Sequence, residues 1–313
     1  MNSSTPNTAL TLDTAITLDR LARPSGAFAM VAMDQRESLR QMFTAATGKR
    51  VGDEKLVAFK RTVAAQVGPL ASGFLIDTDF GFSEVAAGNY LPESCGLIVA
   101  IDKLSQHPDG PVEDTTIDTS INLHEARAAG AVAAKLLIIW RQDESRERNI
   151  QLAADFVRIC ADAGILSVLE PVAKPTKIQE SEGRYDAIAG IREAALELGA
   201  LRPSLYKAQI PLAGKAAEST LTNECAELTK RIPGPWVVLS QGVERADFPA
   251  AVRAACRAGA SGMLAGRAIW SDLVGAAESE EHLAQLMRER AVPRLEELAE
   301  IVDTHARPWN EAS

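Results

Sequence analysis

The chain has 313 residues, 46% hydrophobic, 24% charged and 5% aromatic, with 33 Lys and Arg against 42 Asp and Glu for a formal charge of −9. This excludes a disordered chain and a disulfide-stapled miniprotein, and it argues against nucleic-acid or membrane-surface partners, which attract basic faces. An anionic small-molecule substrate would have to be held by a few placed cations.

Residues 1–17 are Ser/Thr/Asn-rich without a basic-then-apolar signal pattern and read as a flexible N-terminal segment. Residues 18–305 read as one domain and 306–313 as a loose C-terminal tail. No apolar run is long enough to span a bilayer, so a cytoplasmic protein is expected. Eight short apolar runs follow in chain order: Ala27–Asp34, Gly73–Asp79, Gly96–Asp102, Ala133–Trp140, Leu166–Val172, Ser204–Pro211, Trp236–Gly242 and Gly262–Arg267. Their length and β-branched content predict buried strands. Between them, Glu54–Val67, Ser145–Ala163, Arg184–Leu198, Ser219–Arg231 and Arg245–Ala258 carry apolar residues at helical spacing. Gly164, Gly199 and Gly259 stand where those helices should end in a left-handed residue. Glu280–Asp303 reads as a last helix whose apolar face closes the domain.

Successive runs begin roughly 34 residues apart, the length of a strand–helix–strand step. Eight such steps predict an α/β fold, a (β/α)8 TIM barrel; a doubly wound open sheet is the competitor, weakened by the lack of GxGxxG after the first run. Chemistry in a barrel gathers at the C-terminal ends of its strands. Here those ends carry Asp34-Gln35-Arg36, Asp77 and Asp79, Asp102, Lys135 with Trp140-Arg141, Glu170, Lys207, Ser240-Gln241-Gly242 and Gly266-Arg267.

Lys207 and Lys135 are each embedded in an apolar run. A desolvated lysine is the residue type that supplies a neutral amine for attack on a carbonyl; the bland reading is a lysine paired to a carboxylate at the barrel mouth. Glu170 lies in the run between them and could carry protons, bridge a lysine, or both. Asp34 has the same choices: a ligand hydroxyl or a lysine. Ser240, Gly242, Gly266 and Arg267 end the last two runs, where barrels often cradle phosphate on backbone N–H groups, and Arg141 is a second possible anion contact. Cys95, Cys160, Cys225 and Cys256 are scattered and read as small buried hydrophobes. His107, His124, His282 and His305 form no ligand pair, so no metal and no cofactor is expected.

Six ordered motifs resemble the class I aldolases of the tagatose 1,6-bisphosphate aldolase family: Ala32–Glu37, Ala134–Leu137, Leu169–Pro171, Leu205–Lys207, Val238–Val243 and Leu264–Trp270. Within that group Leu137–Glu144, Glu170–Val172 and Ala258–Leu264 are more similar to the sulfofructose-1-phosphate aldolases of sulfoquinovose breakdown. The resemblance implies cleavage of 6-deoxy-6-sulfofructose 1-phosphate to dihydroxyacetone phosphate and 3-sulfolactaldehyde. Lys207 is then the Schiff-base lysine, with Glu170 and Lys135 in proton transfer and orientation. It puts Asp34 and Gln35 near substrate hydroxyls, and Ser240, Gly266 and Arg267 on an anion. Gln209 stands where the family usually has Glu, and Gln241 where it has a small residue. A tagatose or fructose 1,6-bisphosphate aldolase is the sibling reading, and a non-catalytic sugar-phosphate-binding barrel the reading from another class. A homo-oligomer is expected, although no stripe of residues marks an interface.

Overall fold

A computed structural model describes residues 16–106 and 110–312. The reading of residues 1–15 as flexible and the position of His107 lie outside the described residues. The strands are β1 (Phe28–Met33), β2 (Gly73–Asp77), β3 (Gly96–Ala100), β4 (Asp102–Gln106), β5 (Val112–Ile117), β6 (Ala131–Trp140), β7 (Leu166–Ala173), β8 (Leu205–Ala208), β9 (Trp236–Val238) and β10 (Gly262–Ala265). Eight of them close into a parallel barrel in the order β1-β10-β9-β8-β7-β6-β3-β2. These are the eight runs predicted as strands. Their residues are buried because helices cover the outside while side chains fill the inside.

The remaining two strands were not foreseen. β4 and β5 form an antiparallel hairpin between barrel strands β3 and β6. Its strands, DKLSQ and VEDTTI, hold few large apolar side chains, so no apolar run announces it.

The helices at Asp53–Val67, Arg146–Ala163, Glu218–Thr229 and Phe248–Arg257 match the periodic segments. Arg184–Leu198 is corrected: one helix stops at the left-handed Gly183, and the next, Ala187–Gly199, starts where the Asp186 carboxylate accepts the Ile188 and Ala189 N–H groups. Gly164 has φ +67° as a helix terminator should, whereas Gly199 remains inside its helix. The final segment runs as Glu280–Leu286, a π-helical turn Met287–Ala291 and Val292–His305, packed on the barrel through Leu295, Leu298 and Val302.

The N-terminal end of the barrel is apolar. A 3-10 turn, Leu18–Leu21, places Leu18 and Leu21 in a cluster with Phe28, Met30, Leu75, Ile98, Leu166 and Leu205. The tail read as loose is tied across this end. Arg307 N–H donates to Ala260 (3.0 Å), Trp309 N–H to Gly26 (2.9 Å), and the Trp309 indole to Asp19 (3.3 Å). Plugging one end in this way leaves the opposite, C-terminal end as the place for an open cavity.

Candidate active site

Strand alternation turns Lys135 and Leu137 of β6, Glu170 and Val172 of β7, and Lys207 of β8 to one side of the sheet. β7 lies between β6 and β8, so Glu170 stands between the two lysines. Its Oε2 is 2.9 Å from Lys135 Nζ and its Oε1 3.0 Å from Lys207 Nζ. Lys135 also donates to Asp34 Oδ2 (2.7 Å), just beyond β1, and to Asp102 Oδ2 (2.8 Å) at the start of β4. Lys135, Lys207, Glu170 and Asp102 are each at most 5% exposed. The bland reading of the lysines as carboxylate partners therefore holds for both. It coexists with a chemical role, because the same groups line a cavity of about 1100 Å³ at the barrel mouth.

The electrostatics separate the two lysines. Burial alone would push the Lys135 ammonium down, but Asp102, Asp34 and Glu170 together carry it well above the ordinary lysine value. Burial likewise works against the Asp34 carboxylate, yet Lys135 and Lys207 hold it well below the usual carboxylate range. Lys207, by contrast, has one carboxylate at ion-pair distance among the described residues. Glu170 Oε2 is buried and, despite its closeness to Lys135, accepts no aligned hydrogen bond there.

A second tier of charge supports this cluster, and the sequence reading did not assign it. Arg36 donates to the Asp102 carbonyl (2.7 Å) and pairs with Asp102 Oδ1 (3.1 Å) and Asp79 (3.2 Å). Below it, Lys60 of the helix Asp53–Val67 donates to Met33 O (3.0 Å) and to Asp77, and both side chains of the pair are fully buried. Burial pushes Lys60 down and Asp77 up, and their mutual attraction opposes both shifts. Lys60 was legible in principle. It sits on the same helical face as Leu56, Phe59 and Val63, where a lone lysine needs a buried partner.

The anion-binding candidates divide. Ser240, Gly266 and Arg267 line the cavity, and the Ser240 hydroxyl accepts the Gly266 N–H (3.3 Å). A Cβ at Gly266 would lie 2.4 Å from Ala32 O, so only glycine fits this close approach to β1. The Arg267 guanidinium has no ion pair or hydrogen bond among the described residues, and burial pushes it down. Gln35 also lines the cavity, with Oε1 buried and unpartnered.

Arg141 and Gly242 are not among the cavity-lining residues. Arg141 spends its guanidinium on Pro175 O (3.2 Å) and Glu113 O (2.8 Å), tying the hairpin to the end of β7, and Gly242 lines a neighbouring cavity. Gln209, expected on the side of Lys207, lies beyond the end of β8, where its Oε1 accepts the Ala173 N–H (2.7 Å). A glutamate could accept the same bond, which accounts for the exchange. Gln241 lines both cavities.

Among the described residues no cluster of three or more His, Cys, Asp or Glu is arranged to hold a metal ion. The four cysteines are free and buried, as read. No described helix is long and apolar enough to cross a membrane.

Comparison with known proteins agrees with this architecture. The pattern of the DeoC/LacD family aldolase matches residues 28–272. The chain is 26% identical to a tagatose 1,6-diphosphate aldolase of Listeria monocytogenes, covering 93% of this chain and 92% of that protein. It is 26% identical to tagatose 1,6-diphosphate aldolase 2 of Enterococcus faecalis, with 96% and 97% covered. Among solved structures, a fructose-bisphosphate aldolase from Plasmodium falciparum shares the fold with a TM-score of 0.70 at 14% identity over 94% of each chain. A Schiff base forming fructose-1,6-bisphosphate aldolase superposes with a TM-score of 0.59 at 16% identity over 91% of this chain and 98% of that one.

Proposed function

The chain belongs to the DeoC/LacD aldolase family, and from that premise we propose that it is a Schiff-base (class I) aldolase. Its preferred substrate on this reading is 6-deoxy-6-sulfofructose 1-phosphate, cleaved to dihydroxyacetone phosphate and 3-sulfolactaldehyde. The observation that carries the lysine chemistry is the single carboxylate, Glu170, set between Lys135 and Lys207. Lys135 is held by three carboxylates, whereas Lys207 meets Glu170 alone among the described residues, so Lys207 is the lysine proposed to attack.

On this proposal the Lys207 Nζ adds to the C2 carbonyl of the open-chain ketose. Glu170, having taken the proton that Lys207 gives up on becoming the attacking amine, donates it to the departing hydroxyl, and water leaves as the iminium forms. The Glu170 carboxylate then takes the proton of the C4 hydroxyl. The C3–C4 bond breaks, its electron pair moves into the iminium to give an enamine, and C4–C6 depart as the aldehyde. Protonation of the enamine at C3 and hydrolysis release dihydroxyacetone phosphate and restore Lys207. Lys135 and Asp34 orient hydroxyls and keep the charge of Glu170 balanced through the cycle. Arg267, with Ser240 and the Gly266 backbone, holds an anionic end of the substrate.

The sulfosugar is supported by the motifs at Leu137–Glu144, Glu170–Val172 and Ala258–Leu264. A second reading, a tagatose 1,6-bisphosphate aldolase, is favoured by what the curated relatives are. Borohydride reduction in the presence of dihydroxyacetone phosphate, followed by peptide mapping, tests the shared chemistry. A reduced adduct on Lys207 is expected. An unlabelled Lys207, with a known aldolase trapped in parallel, would favour the non-catalytic sugar-phosphate-binding barrel. Turnover of the two ketose phosphates side by side then separates the substrates.

A further inference from the structure

Two half-buried cations line the cavity without a carboxylate at ion-pair distance among the described residues: Arg267, just past β10, and Lys174, just past β7. Lys207 stands on β8, between the strands that carry them. Lys174 continues the ladder of β7, its N–H donating to Trp140 O (3.0 Å). By alternation it shares the face of Glu170 and Val172 and lies about 13 Å further along the strand than Glu170. Its one polar side-chain contact among the described residues is with a backbone carbonyl, Val112 O of the hairpin, which uses one of its three N–H donors. The wall around it is apolar: Leu137, Ile139 and Val172 form a buried cluster against which Leu104 and Val112 pack.

We propose that Lys174 and this apolar wall form the subsite for the second anion of the substrate, and that it selects a sulfonate over a phosphate. The assignment rests on the ketose 1-phosphate reading above. One lysine neutralises a sulfonate monoanion one for one. A phosphate monoester carries about −1.5 to −2 at pH 7, so the same lysine leaves negative charge facing Ile139 and Val172 without water. Desolvating a dianion is also far costlier than desolvating a monoanion. Burial and the neighbouring Arg141 push the Lys174 ammonium down, while Glu113 and Glu180 act against them, so the surroundings add no net positive charge to that of Lys174. The substrate on this assignment lies with its 1-phosphate at Arg267, its carbonyl at Lys207 and its sulfonate at Lys174.

The test compares wild type, Lys174→Met and Lys174→Arg with 6-deoxy-6-sulfofructose 1-phosphate and tagatose 1,6-bisphosphate as substrates. Wild type should favour the sulfosugar by about tenfold or more in kcat/KM, the worth of a charge-assisted contact. Lys174→Met should raise KM for the sulfosugar by about tenfold or more, with kcat within about threefold and the preference largely erased; Lys174→Arg should restore most of it. Borohydride trapping of dihydroxyacetone phosphate on Lys207, which needs no second anion, should be equal in all three proteins. An unchanged sulfosugar KM in Lys174→Met, equal use of both substrates by wild type, or a matching loss of trapping in the variant overturns the subsite. If wild type traps nothing, the aldolase reading falls by itself. Calorimetric titration of wild type and Lys174→Met with the sulfosugar phosphate then decides the subsite, which fails if the two bind it equally.

Discussion

The two ends of the barrel interior are built from the same strands and follow opposite rules. At the N-terminal end Leu18, Leu21, Phe28, Met30 and Leu205 pack into a sealed apolar layer, covered by the tail around Trp309. Two residues further along the same face of β8, Leu205 gives way to Lys207; along β6, Ala133 gives way to Lys135; along β7, Val168 gives way to Glu170. The lower layer is removed from water with its needs met by dispersion and hydrophobic burial. The upper layer is just as buried but is full of charge, and replacing such ion pairs by packed apolar groups is often neutral or stabilising. The contrast places the apolar packing at one end and the residues of the proposed chemistry at the other.

Four substitutions and one titration would break or sharpen that contrast. The largest effect expected is on activity: Lys207→Ala should take cleavage below detection while the urea unfolding midpoint moves little, and retained activity would remove Lys207 from the mechanism. The converse is Leu21→Ala, which should cost about 2–5 kcal/mol in urea unfolding and leave kcat intact below the transition. A lowered kcat there would show that the two ends are coupled.

Lys60→Met lies between these cases, because it takes the direct ion-pair partner from the fully buried Asp77 and leaves it the Phe80 N–H (2.9 Å) and the more distant Arg36 (3.9 Å). It should cost about 3–5 kcal/mol, and the Lys60→Met, Asp77→Leu pair should recover most of that. No recovery would mean that Lys60 acts chiefly through Met33 O, at the base of Asp34. Arg267→Ala should raise KM by about 10- to 100-fold with unfolding nearly unchanged, since it removes a guanidinium that lines the cavity and has no ion pair among the described residues. An unaltered KM takes Arg267 out of the site.

The smallest effect is in the pH dependence. Asp34 is depressed when folded, so its stabilising share is present above its ordinary value of 3.8 and is lost as pH falls through its lower folded value. Lys135 is raised, so its share is present below its ordinary 10.5 and is lost only as pH climbs through its higher folded value. The unfolding free-energy difference between wild type and Asp34→Asn should therefore be flat from about pH 5 to 9 and shrink in acid below 3.8. A difference that grows in acid would mean that Asp34 is not held as a carboxylate in the folded protein.

Much of the site was legible because barrel chemistry must lie at strand ends and because charged residues break apolar runs at Lys135, Glu170 and Lys207. Asp102 was visible as the end of a run, but its contact with Lys135 joins residues 33 positions apart across β3 and β6. Arg141 read as a second possible anion contact from its place just past a strand. The difference between Arg141 and Arg267 came from the fold, in which Glu113 O of the hairpin and Pro175 O past β7 occupy the Arg141 guanidinium. Gln209 was expected beside Lys207 because alternation was carried one residue past the end of β8.

By itself the sequence determined the repeat of strand and helix, hence the parallel barrel, because hydrophobic periodicity is local and each buried run has to be covered on both faces. It also determined which residue types crowd the strand ends. Only the tertiary structure decided which carboxylate meets which lysine, which cations remain without a partner, and that a polar hairpin walls the cavity. Those outcomes depend on closure of the barrel, which brings distant strands to ion-pair distance in a register that no local pattern encodes.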